Sequence, residues 1–114
     1  MGLGAAIGYF TRMGYTVAVP LTDSQDYDLI VDDGKLSRVQ VRTTSVVTRH
    51  GHPRVNLRVL GGNQSWNRVS KLFDATKVEY LFVVVPDGRM WCIPTTFTNT
   101  THLNLGPRMN QYLI

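Results

Sequence analysis

Tyr80-Leu81-Phe82-Val83-Val84-Val85 runs through six residues with no charged side chain and, after the Tyr80 hydroxyl, no polar one. A short apolar run rich in β-branched and aromatic residues reads as a central strand buried on both faces. Pro86-Asp87-Gly88 then turns the chain, and residues 89–93 return as its hairpin partner. The remaining segments follow from period and punctuation. Residues 3–13 predict a helix, with Leu3, Ile7, Phe10 and Met13 at roughly helical spacing and Gly14 as the stop. Residues 15–19 read as a strand closed by Pro20, and residues 27–31 as a short apolar strand. Asp32-Asp33-Gly34 is a hairpin turn. In the next strand, residues 36–44, Val39 and Val41 share one face and Arg38, Gln40, Arg42 and Thr44 the other. Residues 54–60 alternate, with Val55, Leu57 and Val59 inward and Arg54 and Arg58 outward. Asp74 is a cap for a short helix at 75–78. The last twenty or so residues are weakly patterned. This order gives an α+β or α/β domain with a mixed sheet.

At 114 residues the chain is one domain, 1–114, long enough to fold alone. With 43% hydrophobic and 18% charged residues it is neither disordered nor fibrous. No apolar run approaches the ~20 residues of a membrane span. The N-terminus has no charged region ahead of its apolar stretch, which argues against a secretory signal. One cysteine, Cys92, excludes an intramolecular disulfide and a Cys-rich zinc site, so a reducing cytoplasm is the expected setting, for a chain expected to be bacterial or phage-encoded.

The net charge of +4 is unevenly spread. Residues 1–33 hold Asp23, Asp26, Asp28, Asp32 and Asp33 against Arg12 alone. Residues 34–72 hold eight bases and no acid: Lys35, Arg38, Arg42, Arg49, Arg54, Arg58, Arg68 and Lys71. Residues 73–114 balance. Carboxylates leading into a long acid-free basic stretch point to a metal or acid site beside a polyanion surface. Arg outnumbers Lys nine to three, and Arg is the better phosphate fork.

Asp28 sits in an apolar strand, where a carboxylate is costly unless ligated or paired. The tight turn returns the next strand alongside, with Gln40 and Arg42 two residues apart on one face. An acid, an oxygen ligand and a cation so placed can hold a divalent ion against a phosphodiester. A plain salt bridge between Asp28 and Arg42 is the competing structural reading.

These residues carry a resemblance to the PD-(D/E)xK nuclease superfamily, in its group I intron homing-endonuclease branch. The stretches that resemble it are Tyr9-Phe10-Thr11, Gly14-Tyr15-Thr16-Val17, Pro20-Leu21-Thr22-Asp23, Tyr27-Asp28-Leu29-Ile30-Val31-Asp32 and Val39-Gln40-Val41-Arg42-Thr43-Thr44. Phe73-Asp74, Val78-Glu79-Tyr80-Leu81-Phe82-Val83 and Ile93-Pro94 extend the likeness over nearly the whole chain. The resemblance implies a restriction-endonuclease-like αβββαβ core with a mixed sheet. It implies Asp28 and Gln40 as ligands of Mg²⁺ or Mn²⁺, with Gln40 in the Gln-x-Lys variant of the motif. Arg42 falls on the catalytic lysine, and this is a departure: an Arg can clamp a phosphate but does not readily act as a base. A second departure is the first helix, which carries no Glu; Asp23 or Asp26 could supply the missing acid from the loop.

His50-Gly51-His52 reads as loop histidines touching phosphate or solvent, since no Cys or acid completes a metal set. The loop 61–67 could enter a DNA groove, or fold Trp66 onto the core. Gly2-Leu3-Gly4 lacks the strand a nucleotide-binding loop needs, and Cys92 reads as a small core residue. The expected function is a metal-dependent endonuclease hydrolysing double-stranded DNA through Asp28, Gln40 and Arg42. Its expected DNA contacts are Arg38, Thr43, Thr44, Arg49, His50, Arg54, Arg58, Trp66, Arg68 and Lys71. The rivals are a catalytically degenerate DNA-binding or regulatory protein of the same fold, and a protein that sets its basic face against an acidic partner. Cutting both strands needs two sites, so a homodimer or larger homo-oligomer is expected, built from residues 103–114 unless these cover the sheet edge instead.

Overall fold

Short runs of alternating or continuous apolar residues, cut by Gly, Pro and Asp, make this chain a set of brief strands behind one helix. The computed structural model describes all residues but 1, 23–25, 58, 61–69, 72–74 and 97–100, with the side chains at 59, 60, 70, 71 and 75 also left aside. Helix α1 is Gly2–Arg12. Strands β1 (Thr16–Ala18), β2 (Leu29–Asp32) and β3 (Leu36–Thr43) follow. Next come β4 (Arg54–Asn56), β5 (Val59–Leu60), β6 (Ser70–Lys71) and a 3-10 turn at Ala75–Lys77. Strands β7 (Tyr80–Val84), β8 (Met90–Pro94) and β9 (His102–Asn104) lead to a closing 3-10 helix, Pro107–Tyr112.

The main sheet has the order β1-β2-β3-β7-β8. Its pairs are antiparallel except β3 against β7, which is parallel. Strands β4 with β9 and β5 with β6 form two separate ribbons. The expected mixed α+β architecture is therefore present, with its second helix reduced to the turn at Ala75–Lys77. The alternating segment 54–60 is divided between two ribbons rather than forming one strand; Val55 and Leu57 are buried as the alternation predicts. Arg58, and Asp74 with its proposed cap, lie outside the described residues.

Each face of the sheet has its own core. On one side Ala6 and Phe10 of α1 pack over Leu29, Val31, Val39, Phe82 and Val84. The Phe10 and Phe82 rings lie 5.4 Å apart, with Tyr9 against both. On the other side Leu81, Val83, Trp91 and Ile93 meet Val55, Leu57 and Leu105. From Leu81 onward the apolar run is thus buried on both faces, as an interior strand must be, while Tyr80 at its start is exposed.

The helix stripe differs from its sequence reading. Leu3 is 40% and Met13 52% exposed, while Gly2, Ala6 and Phe10 are the buried positions. At the start of the helix the reason is clearance: a Cβ on Gly2 would stand 2.6 Å from Thr43 Cγ2, so the small Gly2 faces the sheet there, and Phe10 fills the wider gap further along. Gly14 ends the helix at φ +86°. Gly34 closes the hairpin at φ +104°, and its N–H donates to Asp32 Oδ1 at 2.9 Å.

Residues 103–114 cover the sheet edge. The Ile114 N–H donates to the Met90 carbonyl at 2.9 Å, Leu113 bridges to Trp91, and Leu105 is buried. Edge cover, one of the two uses foreseen for this segment, is present within the chain. Cys92 packs on the helix side, where burial pushes its thiol up to about 11. No helix among the described residues is long and apolar enough to cross a membrane.

The revised stripe has a direct test in urea unfolding. Ala6→Leu should overpack the interface and cost about 1–3 kcal/mol. Leu3→Ala, at the exposed position, should cost below about 1 kcal/mol.

Candidate active site

Antiparallel pairing decides which side chains meet. Leu29 is paired with Val39, and the Asp28 N–H donates to the Val39 carbonyl at 2.8 Å, so the hairpin continues one residue beyond β2. Asp28 therefore lies across from Gln40. The Gln40 amide donates Nε2–H to Asp28 Oδ2 at 3.1 Å, and the Val41 N–H donates to the same oxygen at 2.8 Å. Both bonds fall on Oδ2, which leaves Oδ1 without a hydrogen bond from the described residues. Gln40 is 6% exposed and is the one buried polar side chain among the described residues. A buried amide is costly without a partner, and the carboxylate supplies it.

Arg42 follows two residues along the same face. The parallel register sets Gln40 beside Leu81 and Arg42 beside Val83. This is the face turned away from α1, toward the β4–β9 ribbon. Among the described residues no ion pair joins Arg42 to Asp28, so the plain salt bridge is not made; Arg42 Nε is buried with no hydrogen-bond partner. Burial pushes the guanidinium below its ordinary value, while the charge of Asp28 pulls the other way. The arrangement is a carboxylate fixed through one oxygen, an amide braced against it, and a cation beside them whose Nε has no hydrogen-bond partner among the described residues. Such a set can take an anion at the cation and a hard cation at the open carboxylate oxygen.

The other expected residues divide. Thr43, Thr44 and Arg54 line one groove of about 420 Å³, together with Ser45, Val46, Asn56 and His102. Thr44 Oγ1–H donates to the Arg54 carbonyl at 2.7 Å, tying the end of β3 to β4. Arg49 and His50 are exposed on the adjoining turn, held by the Thr48 N–H donating to the His52 carbonyl at 2.7 Å. Lys71 belongs to β6, and Arg58, Trp66 and Arg68 lie outside the described residues, as does Asp23. Asp26 is paired with Lys77 at 3.3 Å. No cluster of three His, Cys, Asp or Glu occurs among the described residues.

Arg38 is already engaged. Its Nε donates to both Glu79 oxygens at 3.1 Å, Nη2 donates to Glu79 Oε2 and to the Thr76 carbonyl, and its backbone N–H donates to Glu79 Oε1 at 2.7 Å. The Arg38 bonds hold the Glu79 carboxyl below its usual range. Sequence reading gave Glu79 no such role. The available signal was that the chain's single Glu immediately precedes the central strand, while no acid accompanies Arg38 within the basic stretch.

A model of the PD-(D/E)XK endonuclease family matches residues 2–112. The chain belongs to that family. Over 57 residues, 49% of the chain, it is 39% identical to protein 5.3 of Escherichia phage T7. That stretch spans about half of the relative, 48% of its length. Among solved structures, a bacterial homing endonuclease matches with a TM-score of 0.77 at 23% identity. The match covers 98% of this PD-(D/E)XK chain and 83% of that one, and it is a likeness of fold.

The Arg38–Glu79 pair should report on pH. Glu79's folded value is depressed, so its contribution is full above the unfolded carboxyl value of ~4.3 and is lost as pH falls through the folded value. With side chains 37% and 31% exposed, screening limits the pair. Glu79→Gln should cost about 1 kcal/mol in urea unfolding at neutral pH, and the gap to wild type should narrow below pH ~4.

Proposed function

We propose that this PD-(D/E)XK chain is an endonuclease that hydrolyses phosphodiesters of double-stranded DNA with a divalent metal. The observation that carries this reading is the Arg42 guanidinium, its buried Nε without a hydrogen-bond partner among the described residues, on the same sheet face as an Asp28 carboxylate fixed through a single oxygen.

The donor set fits a hydrated hard cation. Asp28 offers Oδ1 and Gln40 its amide oxygen, and Mg²⁺ commonly takes one or two protein oxygens and fills the rest with water and phosphate. Bound there, Mg²⁺ or Mn²⁺ would supply an acidified water and positive charge at the scissile phosphate. The chain's own residues do the rest. Gln40 and the Val41 N–H orient the Asp28 carboxylate. Arg42, short of hydrogen-bond partners, grips a phosphate oxygen and stabilises charge that grows in the transition state. Thr43, Thr44, Arg49, His50 and Arg54 hold the backbone on either side, joined by Arg58, Trp66, Arg68 and Lys71 from the basic stretch. Arg38 is the exception, since its guanidinium is held by Glu79. Two copies acting as a homodimer would cut both strands.

A second reading keeps the fold and the DNA contact without cleavage. The observation favouring it is the spare site: one carboxylate, a neutral amide, and an Arg in place of the family's Lys.

Plasmid nicking with Mg²⁺ or Mn²⁺ separates the two. On the endonuclease reading wild type nicks, Asp28→Ala loses at least ~100-fold of the rate, and Arg42→Ala a similar factor. Gln40→Glu adds a second carboxylate and should lower the metal concentration needed for half-maximal nicking. If wild type and Asp28→Ala are equally silent yet both retard duplex DNA, the binding reading holds, and cleavage gained by Arg42→Lys would mark a site that lost its base.

A further inference from the structure

The β4–β9 ribbon is hydrogen-bonded separately from the main sheet, packs on it through one face and has two unlike faces. Val55 and Leu103 are register partners, and both pack into the core. Alternation then turns the neighbouring pairs outward: Arg54 opposite Asn104, and Asn56 opposite His102. All four are exposed. His102 Nδ1 lies 3.1 Å from Thr101 Oγ1, which leaves Nε2 as the outward nitrogen. The outer face carries no carboxylate.

Composition separates this face from a plain phosphate rest. Phosphate oxygens only accept, so lysines and arginines serve them fully. Two amides and an imidazole offer donors and acceptors together, which is what base edges require. A two-stranded β-ribbon also has the width that the major groove of B-form DNA admits. The ribbon's position supports the same use. Thr44 ties the Arg54 carbonyl to β3, two residues beyond Arg42, so the ribbon sits within about 7 Å of chain travel from the cation on the scissile phosphate.

Resting on the reading that the substrate is duplex DNA, we infer that the outer face of the β4–β9 ribbon enters the major groove beside the cut and reads its sequence. Asn56 and Asn104 pair with base edges, His102 supports Asn56 from across the ribbon, and Arg54 takes either a guanine edge or the adjoining phosphate.

Selection from a short duplex pool with a randomised centre tests this, using the full chain and variants whose folding is checked by thermal unfolding. Wild type should enrich a defined motif. Asn56→Ala and Asn104→Ala should each relax preference at one base pair by roughly 10- to 100-fold, with little loss on unrelated duplex. Arg54→Ala should either do the same at another position or lower affinity uniformly and reduce the salt slope by about one. Asn56→Ser, which keeps a small polar residue, guards against a packing effect and should relax the same position. If the asparagine variants enrich the wild-type motif unchanged, or wild type binds duplex without enriching any motif, the ribbon does not read sequence, and the nuclease reading stands apart from that result. If wild type retains no duplex at any salt, the nuclease reading fails and the ribbon's role fails with it.

Discussion

The parallel pairing of β3 with β7 governs the rest of this molecule. Parallel neighbours cannot be joined by a tight turn; the chain must leave one end of the sheet and return at the other. Here that obligation is met by residues 44–79, and most of the chain's excess positive charge travels in this crossover. The same pairing sets the register of Gln40 against Leu81 and Arg42 against Val83. Polar side chains of β3 are thereby delivered to the face on which the crossover lies, while Val39 and Val41 go to the helix. Crossover and candidate site share a face because one register fixes both.

On that face, the Asp28–Gln40–Arg42 group is an uneven bargain between charge and burial. Asp28 draws two hydrogen bonds to a single oxygen, which offsets much of the cost of keeping a carboxylate beside apolar neighbours. Arg42 has only the nearby charge of Asp28, with no hydrogen bond to its Nε from the described residues. A cation with a buried, unpartnered Nε is a standing cost, and native structures seldom retain one without a reason. Arg38 makes the contrast: four residues earlier on the same face, it is met by both oxygens of Glu79. The protein neutralises one of these arginines and leaves the other open, and an arriving anion would remove the imbalance at the second.

Much of this was legible because period-2 alternation and tight-turn chemistry are local. Asp32-Asp33-Gly34 fixed the hairpin, and the hairpin fixed that Asp28, Gln40 and Arg42 share a face. The family resemblance was likewise carried by ordered short motifs, and the match over residues 2–112 agrees with it. What escaped was long-range. Which helix face lies inward depended on clearance above Thr43, a contact 41 residues away in sequence, and mere hydrophobicity favoured Leu3 over Gly2. Glu79 meets Arg38 only because β7 returns beside β3. Asn56 and His102 became neighbours through a ribbon whose strands are separated by the whole of β7 and β8, and no local pattern marks that pairing.

Charge segregation along the sequence becomes a polarity in space through β3. Its eight residues span about 26 Å. At one end stands the turn with Asp32 and Asp33, both exposed; at the other the chain enters the segment bearing Arg49 and Arg54. These ends lie several screening lengths apart at physiological salt, so they act on an approaching polyanion separately, one repelling and one attracting. A duplex would then meet this surface in one orientation, with the acidic turn outside and the ribbon inside the contact. Charge sets the approach, but it cannot choose among sequences. Under the inferred role of the ribbon that choice falls to its uncharged amides, which feel only the groove already brought to them.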